Sequence, residues 1–196
     1  QGNNSLSIRN LNIIGGVLTL IEDGGGIRNN MGTLSVEGST VSGNSSKYSA
    51  GGIAVYSSLS MVNSTVSGNS SDGNGGGLYF PASTGTIKSS TITGNTADAD
   101  AEGNGEGGGF DDAAATSINF FNVILAGNRD LSPVTKSPDC SSGPNFYPRF
   151  VISTQVLGAG NCLVGFNPGS NQFVPDAKIG DLSYNNGGQT PTHPLL

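Results

Sequence analysis

The most informative features of this sequence of 196 residues are the residue types that it lacks. It contains no Trp and a single His, and 8 Lys and Arg stand against 14 Asp and Glu, which gives a net charge of −6. Because the basic residues are scattered singly, they cannot form the positive stripe that nucleic acid requires, and we predict no nucleic-acid partner. His193 alone cannot make a multi-histidine metal site within one chain, and we interpret it as a cap or surface residue.

Long apolar runs and cysteines are also scarce. No apolar run approaches the length of a transmembrane helix, so the sequence predicts no membrane span. Cys140 and Cys162 favour a disulfide formed in an oxidising compartment, with two reduced structural thiols as the alternative. Core-forming residues begin at once with Leu6 and Ile8, and we expect a processed precursor that is extracellular or on the cell surface.

Glycine is abundant, with 32 residues, and much of it belongs to two motifs that alternate along residues 1–128. One motif is a glycine run followed by an apolar residue: Ile27, Ile53, Leu78 or Phe110. The other is Ser-Thr-Val-Ser-Gly-Asn or a variant of it, and its closing residues, spaced by 25, 26 and 33 positions, are Asn44, Asn69, Asn95 and Asn128. Segments that alternate apolar and polar residues separate these turn-forming motifs, so each repeat predicts three short strands.

Aligning the repeats on the closing asparagines predicts which apolar residues stack in the core. The predicted inward columns are Val36-Met61-Ile87-Phe120, Val41-Val66-Ile92-Leu125 and Ile27-Ile53-Leu78-Phe110. One coil cannot bury its apolar face alone, but neighbours about 4.8 Å apart can form a continuous core. We therefore predict an all-β parallel β-helix, a solenoid whose three-strand coils occupy residues 1–128. Residues 129–196 are expected to form an irregular C-terminal cap on the same domain.

The closing asparagines have a structural explanation. Asparagine tolerates left-handed backbone conformations, and its side-chain amide can hydrogen-bond to the equivalent amide of the next coil. We predict a ladder of Asn44, Asn69, Asn95 and Asn128 along one corner. The glycine runs suit a tight corner in which a Cβ would clash.

These motifs resemble two kinds of bacterial repeat protein. The alternation of Gly-Gly-Gly-Ile with Ser-Thr-Val-Ser-Gly-Asn resembles the polymorphic outer-membrane-protein type of β-helix repeat. Residues 122–128, the Pro138-Asp139-Cys140 segment and residues 181–196 resemble bacterial choice-of-anchor Q domain proteins. The resemblance implies a right-handed parallel β-helix on a secreted or surface protein of unassigned biochemical function, and it carries over no catalytic residue.

An acidic cluster lies where the repeat lengthens from 26 to 33 residues. Carboxylates on a flexible, glycine-containing loop could bind Ca²⁺, although their spacing does not match an EF-hand loop. The candidate ligands are Asp98, Asp100, Glu102 and Asp111. The alternative interpretation is a solvated acidic loop with no cofactor.

An enzyme acting on polysaccharide is an alternative, because parallel β-helices include lyases and hydrolases. Such chemistry needs a base or a pair of carboxylates in one groove. Asp111 and Asp112 are adjacent and would point to opposite faces of a strand, and the nearest basic residues, Lys88 and Arg129, complete no constellation. We therefore predict that the protein is not an enzyme.

Outward hydroxyl and aromatic side chains suggest binding instead. A flat hydroxyl array that could bind ice or sugar is predicted from Thr40, Ser42, Thr65, Ser67, Thr91 and Thr93. Outward Tyr56 and Tyr79 could stack on a sugar ring. Because the open ends of a solenoid need covering, copies could also associate head to tail into a surface fibre. The sequence thus favours a structural or adhesive extracellular module, with glycan or a second copy as partner.

Overall fold

The computed structural model describes residues 4–134, 136–142, 145–153 and 172–173, and within these ranges every regular element is a β-strand. The chain forms a parallel β-solenoid of about five turns, with equivalent positions roughly 28 residues apart. The predicted fold class is therefore confirmed. Alternating apolar and polar residues produce the strands, and Gly, Asn and Ser produce the corners between them.

Four coils contain four strands each, and the stack then continues through a fifth. The first coil contains β1 (Ser5–Arg9), β2 (Asn12–Ile14), β3 (Val17–Leu18) and β4 (Ile27–Asn29). The second contains β5 (Thr33–Glu37), β6 (Thr40–Ser42), β7 (Ser45–Ser46) and β8 (Ile53–Val55). The third contains β9 (Ser58–Val62), β10 (Thr65–Ser67), β11 (Ser70–Ser71) and β12 (Leu78–Tyr79). The fourth contains β13 (Thr84–Lys88), β14 (Thr91–Thr93), β15 (Thr96–Ala97) and β16 (Phe110–Asp112). The remaining strands are β17 (Ser117–Ala126), β18 (Arg129–Asp130), β19 (Cys140–Ser142), β20 (Phe146–Ser153) and β21 (Gln172–Phe173).

The described strands form three parallel sheets. The first two strands of each coil belong to one bent sheet, because β17 runs without interruption through both positions and pairs with β13 and β14. The third and fourth strands of the coils form the other two sheets. The three predicted strands per coil therefore correspond to three sheets, although a corner divides the first strand into two in the regular coils.

The three predicted core columns are confirmed by the pairing of the strands. Val36 pairs with Met61, Val41 with Val66, and Ile27 with Ile53, and each column continues through the following coils as predicted. All the members from the second coil onward are buried. A cluster of Phe110, Phe120 and Phe146, with ring centroids 4.9 Å apart, fills the core between the fourth coil and β20.

Two corners have a left-handed backbone in coil after coil. After the third residue of β2 and its equivalents, a glycine has positive φ in every coil: Gly15, Gly43, Gly68, Gly94 and Gly127. At the bend between the first two strands, positive φ recurs at Asn10, Gly38, Asn63, Ser89 and Asn122. Glycine and asparagine adopt this conformation at the lowest cost, which explains their recurrence at these positions.

Paired strands continue beyond the last asparagine of the ladder. Beyond residue 128, β19 pairs in register with β16, and β20 pairs along most of β17. Strands β18, β19 and β20 therefore continue the parallel stack beyond residue 128. The repeat is difficult to recognise in the sequence of these strands. Cys140 and Phe146 occupy core positions that aliphatic residues fill in earlier coils.

Candidate functional site

A groove runs along the outside of the solenoid, parallel to its axis. It is built from one corner of four successive coils, namely the loop between the third and fourth strands of each coil. The first coil contributes Ile21, the second residues 47–49, the third residues 72–74 with Tyr79, and the fourth Asp100, Glu102 and Asn104. The groove encloses about 360 Å³. It crosses three coil spacings, which at about 4.8 Å each is roughly 14 Å.

The repeat places opposite charges next to each other in this groove. Lys47 directly follows β7, and Asp72 directly follows β11 at the equivalent position of the next coil. Burial raises the pKa of the Asp72 carboxyl, and the negative charge of Asp100 raises it further, while Lys47 acts in the opposite direction. The groove therefore combines one ammonium group with the carboxylates of Asp72, Asp100 and Glu102.

Two tyrosines supply aromatic surface. Tyr48 is 51% exposed, and its backbone is fixed because its N–H donates to Ser46 Oγ and its carbonyl accepts from Gly73 N–H. Tyr79 lies on β12 between Ala54 and Asp111 of the adjacent coils. Burial and then the nearby Asp111 raise the pKa of the Tyr79 hydroxyl to about 12, so this tyrosine is neutral at any physiological pH.

Buried carboxyl groups lie behind the groove. Asp111 is almost fully buried, and its burial, reinforced by Glu106 and Asp112, raises the pKa of its carboxyl to about 7. Hydrogen bonds with Ser141 and Asn74 oppose that shift. Ser141 also donates to Glu106 Oε2 at 2.8 Å. The groove residue Asn74 thus connects the open surface to a buried acidic group.

The long loop of the fourth coil is organised by Asp98. This residue is buried, and both of its carboxylate oxygens accept the N–H of Gly103, at 2.9 and 3.0 Å, while Oδ1 also accepts the N–H of Asn104. Glu106 N–H donates to Asn74 Oδ1 and ties the end of the loop to the third coil. The loop is therefore held by specific hydrogen bonds, and it forms the wall of the groove that Asp100, Glu102 and Asn104 line.

The four residues proposed as calcium ligands have different roles. Asp98 binds backbone amides, Asp100 and Glu102 line the groove, and Asp111 is buried on β16. Within the described ranges, no group of three or more His, Cys, Asp or Glu side chains is arranged to hold a metal ion. The calcium site stays a prediction, and the geometry adds no support to it.

The predicted hydroxyl face is not an exposed surface. Thr40 is fully buried, Ser42, Thr65, Ser67 and Thr93 are also buried, and Thr91 is half-buried. The burial of these hydroxyl groups adds no support to the prediction that they bind ice or sugar. Strand alternation predicts only which side of a strand a side chain occupies, and it does not predict how far that side chain is buried.

The asparagine ladder is present in the structure. The Nδ2 group of Asn44 donates to Oδ1 of Asn69 at 2.9 Å, and the same bond joins Asn69 to Asn95 and Asn95 to Asn128. The last rung, Asn128, donates to Oδ1 of Asp139. A second ladder, which the sequence did not predict, is formed by serine hydroxyl groups. The N–H of Leu11 donates to the hydroxyl of Ser39 in the next coil. In the same way, Ser39 N–H donates to Ser64 Oγ, and Ser64 N–H donates to Ser90 Oγ.

The glycine runs face the asparagine ladder. A Cβ on Gly52 would lie 2.4 Å from the Gly77 carbonyl oxygen and 3.1 Å from Asn69 Nδ2. A Cβ on Gly77 would likewise lie 2.5 Å from the Gly109 oxygen and 3.0 Å from Asn95 Nδ2. Glycine is needed here because the segment just before the fourth strand of each coil lies too close to the ladder for a side chain. The sequence predicted this tight corner.

Other predicted residues lie elsewhere. Tyr56 is not in the groove, because its hydroxyl donates to Asp23 and the Arg28 guanidinium lies over its ring at 5.1 Å. Lys88 is placed over the Phe121 ring. Cys140 is buried on β19. Cys162 and His193 lie outside the described residues, so the predicted disulfide and the role of His193 stay predictions.

Comparisons with protein-family models, with curated proteins and with solved structures gave no match to this chain. In the part of the chain that the structure describes, there is no helix long and apolar enough to cross a membrane.

Proposed function

We propose that this protein is an extracellular adhesive module that binds carbohydrate in the axial groove. The observation that carries the proposal is the composition of the groove, in which Tyr48 and Tyr79 stand among carboxylate, amide and ammonium groups. Sugar rings offer apolar faces for aromatic stacking and a rim of hydroxyls for hydrogen bonds. The groove presents both kinds of partner on one continuous surface.

The shape of the groove favours a chain over a single small molecule. Because the same corner contributes in four successive coils, the groove extends along the solenoid axis and meets an equivalent backbone position at each coil. A linear glycan can occupy such repeated positions with several residues. Binding loops on a rigid scaffold also lose little conformational entropy when a ligand binds.

The extracellular location rests on sequence features. The chain is weakly charged and rich in glycine, and it resembles surface-associated β-helix proteins. The proposed Cys140–Cys162 disulfide is compatible with an oxidising compartment. A choice-of-anchor relationship is part of the same proposal, and purification of the protein from the surface fraction of the producing cell would test it.

The groove is tested by screening the purified protein on a glycan array and measuring each interaction by calorimetry. Tyr48→Ala and Tyr79→Ala are expected to weaken binding at least about 10-fold each, since each stacking face is lost. Tyr147→Ala is the matched control, because Tyr147 is similarly exposed and lies on β20, away from the groove. The absence of any glycan interaction, or equal losses in all three variants, would refute the proposal.

A second candidate is an enzyme, and a specific observation favours it. In the sequence, neither Lys88 nor Arg129 is placed to form a catalytic group with the carboxylates. The structure instead brings Lys47 and three carboxylates into one groove. Carboxyl groups that share one groove, one of them with a raised pKa, are elements of acid–base catalysis. Incubating each glycan found by the array and following new reducing ends tests this candidate. Cleavage that Lys47→Gln and Asp72→Asn both abolish would establish an enzyme.

Self-association through the first coil completes the proposed adhesive role. In the inward column Leu6-Leu34-Leu59, Leu6 is 59% exposed, whereas Leu34 and Leu59 are 1% and 2% exposed. Ile14 and Val17 are also exposed on this coil. A second copy that stacks on the coil would cover these groups and pair its strand edges. Light scattering and negative-stain microscopy should show filaments that Leu6→Asp disrupts, while a monodisperse monomer at high concentration would contradict fibre formation.

A further inference from the structure

The charges of the groove indicate which class of carbohydrate it selects. Asp72, Asp100 and Glu102 line it together with one basic side chain, Lys47. Further carboxyl groups stand close behind, on Asp98 and Glu106. An anionic ligand would meet a groove of its own sign, and a cationic ligand would meet the opposite sign.

We infer that the groove binds saccharides that carry positively charged amino groups, such as oligomers of glucosamine, in preference to neutral or uronic-acid saccharides. The inference rests on the proposed function, because it names the ligand class of the same groove. It stands on two independent features, the aromatic stacking surface of Tyr48 and Tyr79 and the excess of carboxylates around that surface. Neither feature alone would select an amino sugar.

The environment of Asp72 supports a cationic ligand. Its carboxylate already experiences unfavourable charge from Asp100 and Asp98, which adds to the effect of burial in raising its pKa. Lys47 offsets only a part of this. An ammonium group that enters the groove would relieve the repulsion that remains among these carboxylates, which favours binding of a cation.

The repeat also positions the carboxylates at different coils. Asp72 belongs to the third coil, and Asp100 and Glu102 belong to the loop of the fourth. Because adjacent coils are about 4.8 Å apart, successive cationic residues of a linear ligand could each meet a carboxylate along the axis. A ligand with regularly repeated amino groups fits this spacing better than a single cation does.

The test compares three oligosaccharides of equal length by calorimetry with the full chain: glucosamine oligomers, their N-acetylated equivalents and galacturonic acid oligomers. At a pH at which the amines are charged, the glucosamine oligomer should bind at least about 10-fold more tightly than the acetylated one. Added salt should reduce this difference in affinity. The galacturonic acid oligomer should bind most weakly. Asp72→Asn should reduce the preference for the amine about 5-fold, whereas Lys47→Gln should increase it.

Two controls separate selection by the groove from the general negative charge of the protein. Glu37→Gln removes an exposed carboxylate that pairs with Arg9 outside the groove, and it should leave the preference unchanged. Tyr48→Ala should weaken binding of the glucosamine oligomer. If that binding survives Tyr48→Ala and Tyr79→Ala, or falls equally in Glu37→Gln, the interaction is non-specific and the inference is wrong.

The remaining outcomes distinguish this inference from the proposed function. Tyrosine-dependent binding of the acetylated or uronic-acid oligomer, equal to or tighter than binding of the amine, would overturn the charge selection and leave carbohydrate binding intact. A failure of all three oligomers together with an empty glycan array would overturn both.

Discussion

Two corners of the same solenoid differ in how they use the repeat. At the ladder corner, Asn44, Asn69, Asn95 and Asn128 are buried, hydrogen-bonded to one another and packed against glycine. At the groove corner, the equivalent loops contain Lys47, Tyr48, Asp72 and Asn104, and their lengths change from coil to coil. One corner repeats the same residue in each coil, and the other places a different side chain in each.

The difference follows from burial. A side chain of the ladder must satisfy the polar groups of the coils on both sides, and only asparagine at that position provides a donor and an acceptor in line with the axis. A side chain of the groove faces solvent, so its identity is free to vary without leaving buried groups unpaired. Stability should therefore depend mainly on the ladder corner and ligand binding mainly on the groove corner.

The largest effect is expected from breaking the ladder. Asn69→Ala removes the acceptor for Asn44 N–H and Nδ2 and the donor to the Val41 carbonyl, all of them buried. Stranding these groups should lower the free energy of unfolding by about 5 kcal/mol. Chemical denaturation measures this loss.

The matched control for the ladder is Asn104→Ala. Asn104 is an exposed asparagine of the groove corner, and the hydrogen bond to Asp98 uses its backbone N–H, which the substitution keeps. Its cost should be below about 0.5 kcal/mol. If Asn69→Ala and Asn104→Ala lowered the free energy of unfolding by similar amounts, the ladder corner would not be the main source of stability.

The second effect is a pH dependence at the boundary between the corners. The Asp111 carboxyl has a pKa of about 7 in the folded protein against its ordinary value of 3.8, because burial disfavours its charged form. The folded state therefore holds this proton more strongly than the unfolded state, and its stability decreases as the pH rises from about 4 to about 7. Asp111→Asn should remove that decrease and stabilise the protein at pH 8 by up to about 4 kcal/mol.

Denaturation at several pH values checks this prediction. Below pH 4 the Asp111 carboxyl of the wild type is protonated in the folded and in the unfolded state. Its ionisation therefore contributes no difference in stability between the wild type and Asp111→Asn at that pH. Glu37→Gln changes an exposed carboxylate instead, and it provides the comparison for a loss of one negative charge. A wild-type stability that is constant between pH 4 and pH 8 would contradict the raised pKa of Asp111.

The sequence predicted the ladder corner well because its signal is periodic. The columns of Val41, Met61 and Ile53 and the stacked asparagines follow from a single alignment on Asn44 and its equivalents. The same alignment could have found the groove: Lys47 and Asp72, which line it, each lie three positions after a ladder asparagine. That signal was missed because the residues at this position differ chemically, and a search for repeats rewards identity.

Two other features could not be obtained from the repeat. Thr40 and Thr65 are buried, and strand alternation predicts the side of a strand that a residue occupies but not its exposure. The role of Asp98 depends on the path of the long loop, since its carboxylate accepts the N–H groups of Gly103 and Asn104. Loop conformation follows from local hydrogen bonds that a repeat pattern does not contain.

The third effect separates close packing from backbone conformation. A Cβ on Gly76 would lie 2.4 Å from the carbonyl oxygen of Thr96 and 2.6 Å from that of Gly108, so Gly76→Ala forces the backbone of neighbouring coils apart. We expect a loss of about 3 kcal/mol. Gly68→Ala is the control, because Gly68 has a φ of +62° but open space around its Cβ position, and it should cost only about 1 kcal/mol. Thermal unfolding of the two variants compares these costs, and a larger loss for Gly68→Ala would show that conformation outweighs packing at these corners.

The smallest effect on stability is expected where the effect on binding is largest. The Tyr48 side chain is half exposed, and the bonds that fix this residue use its backbone N–H and carbonyl, which Tyr48→Ala retains. The free energy of unfolding should therefore change by less than about 0.5 kcal/mol, while glycan affinity falls. Denaturation and calorimetry on the same preparation test both halves of this statement. If Tyr48→Ala destabilised the fold by several kcal/mol, its weaker binding would report damage to the solenoid, and the groove corner would have to be treated as part of the structural framework.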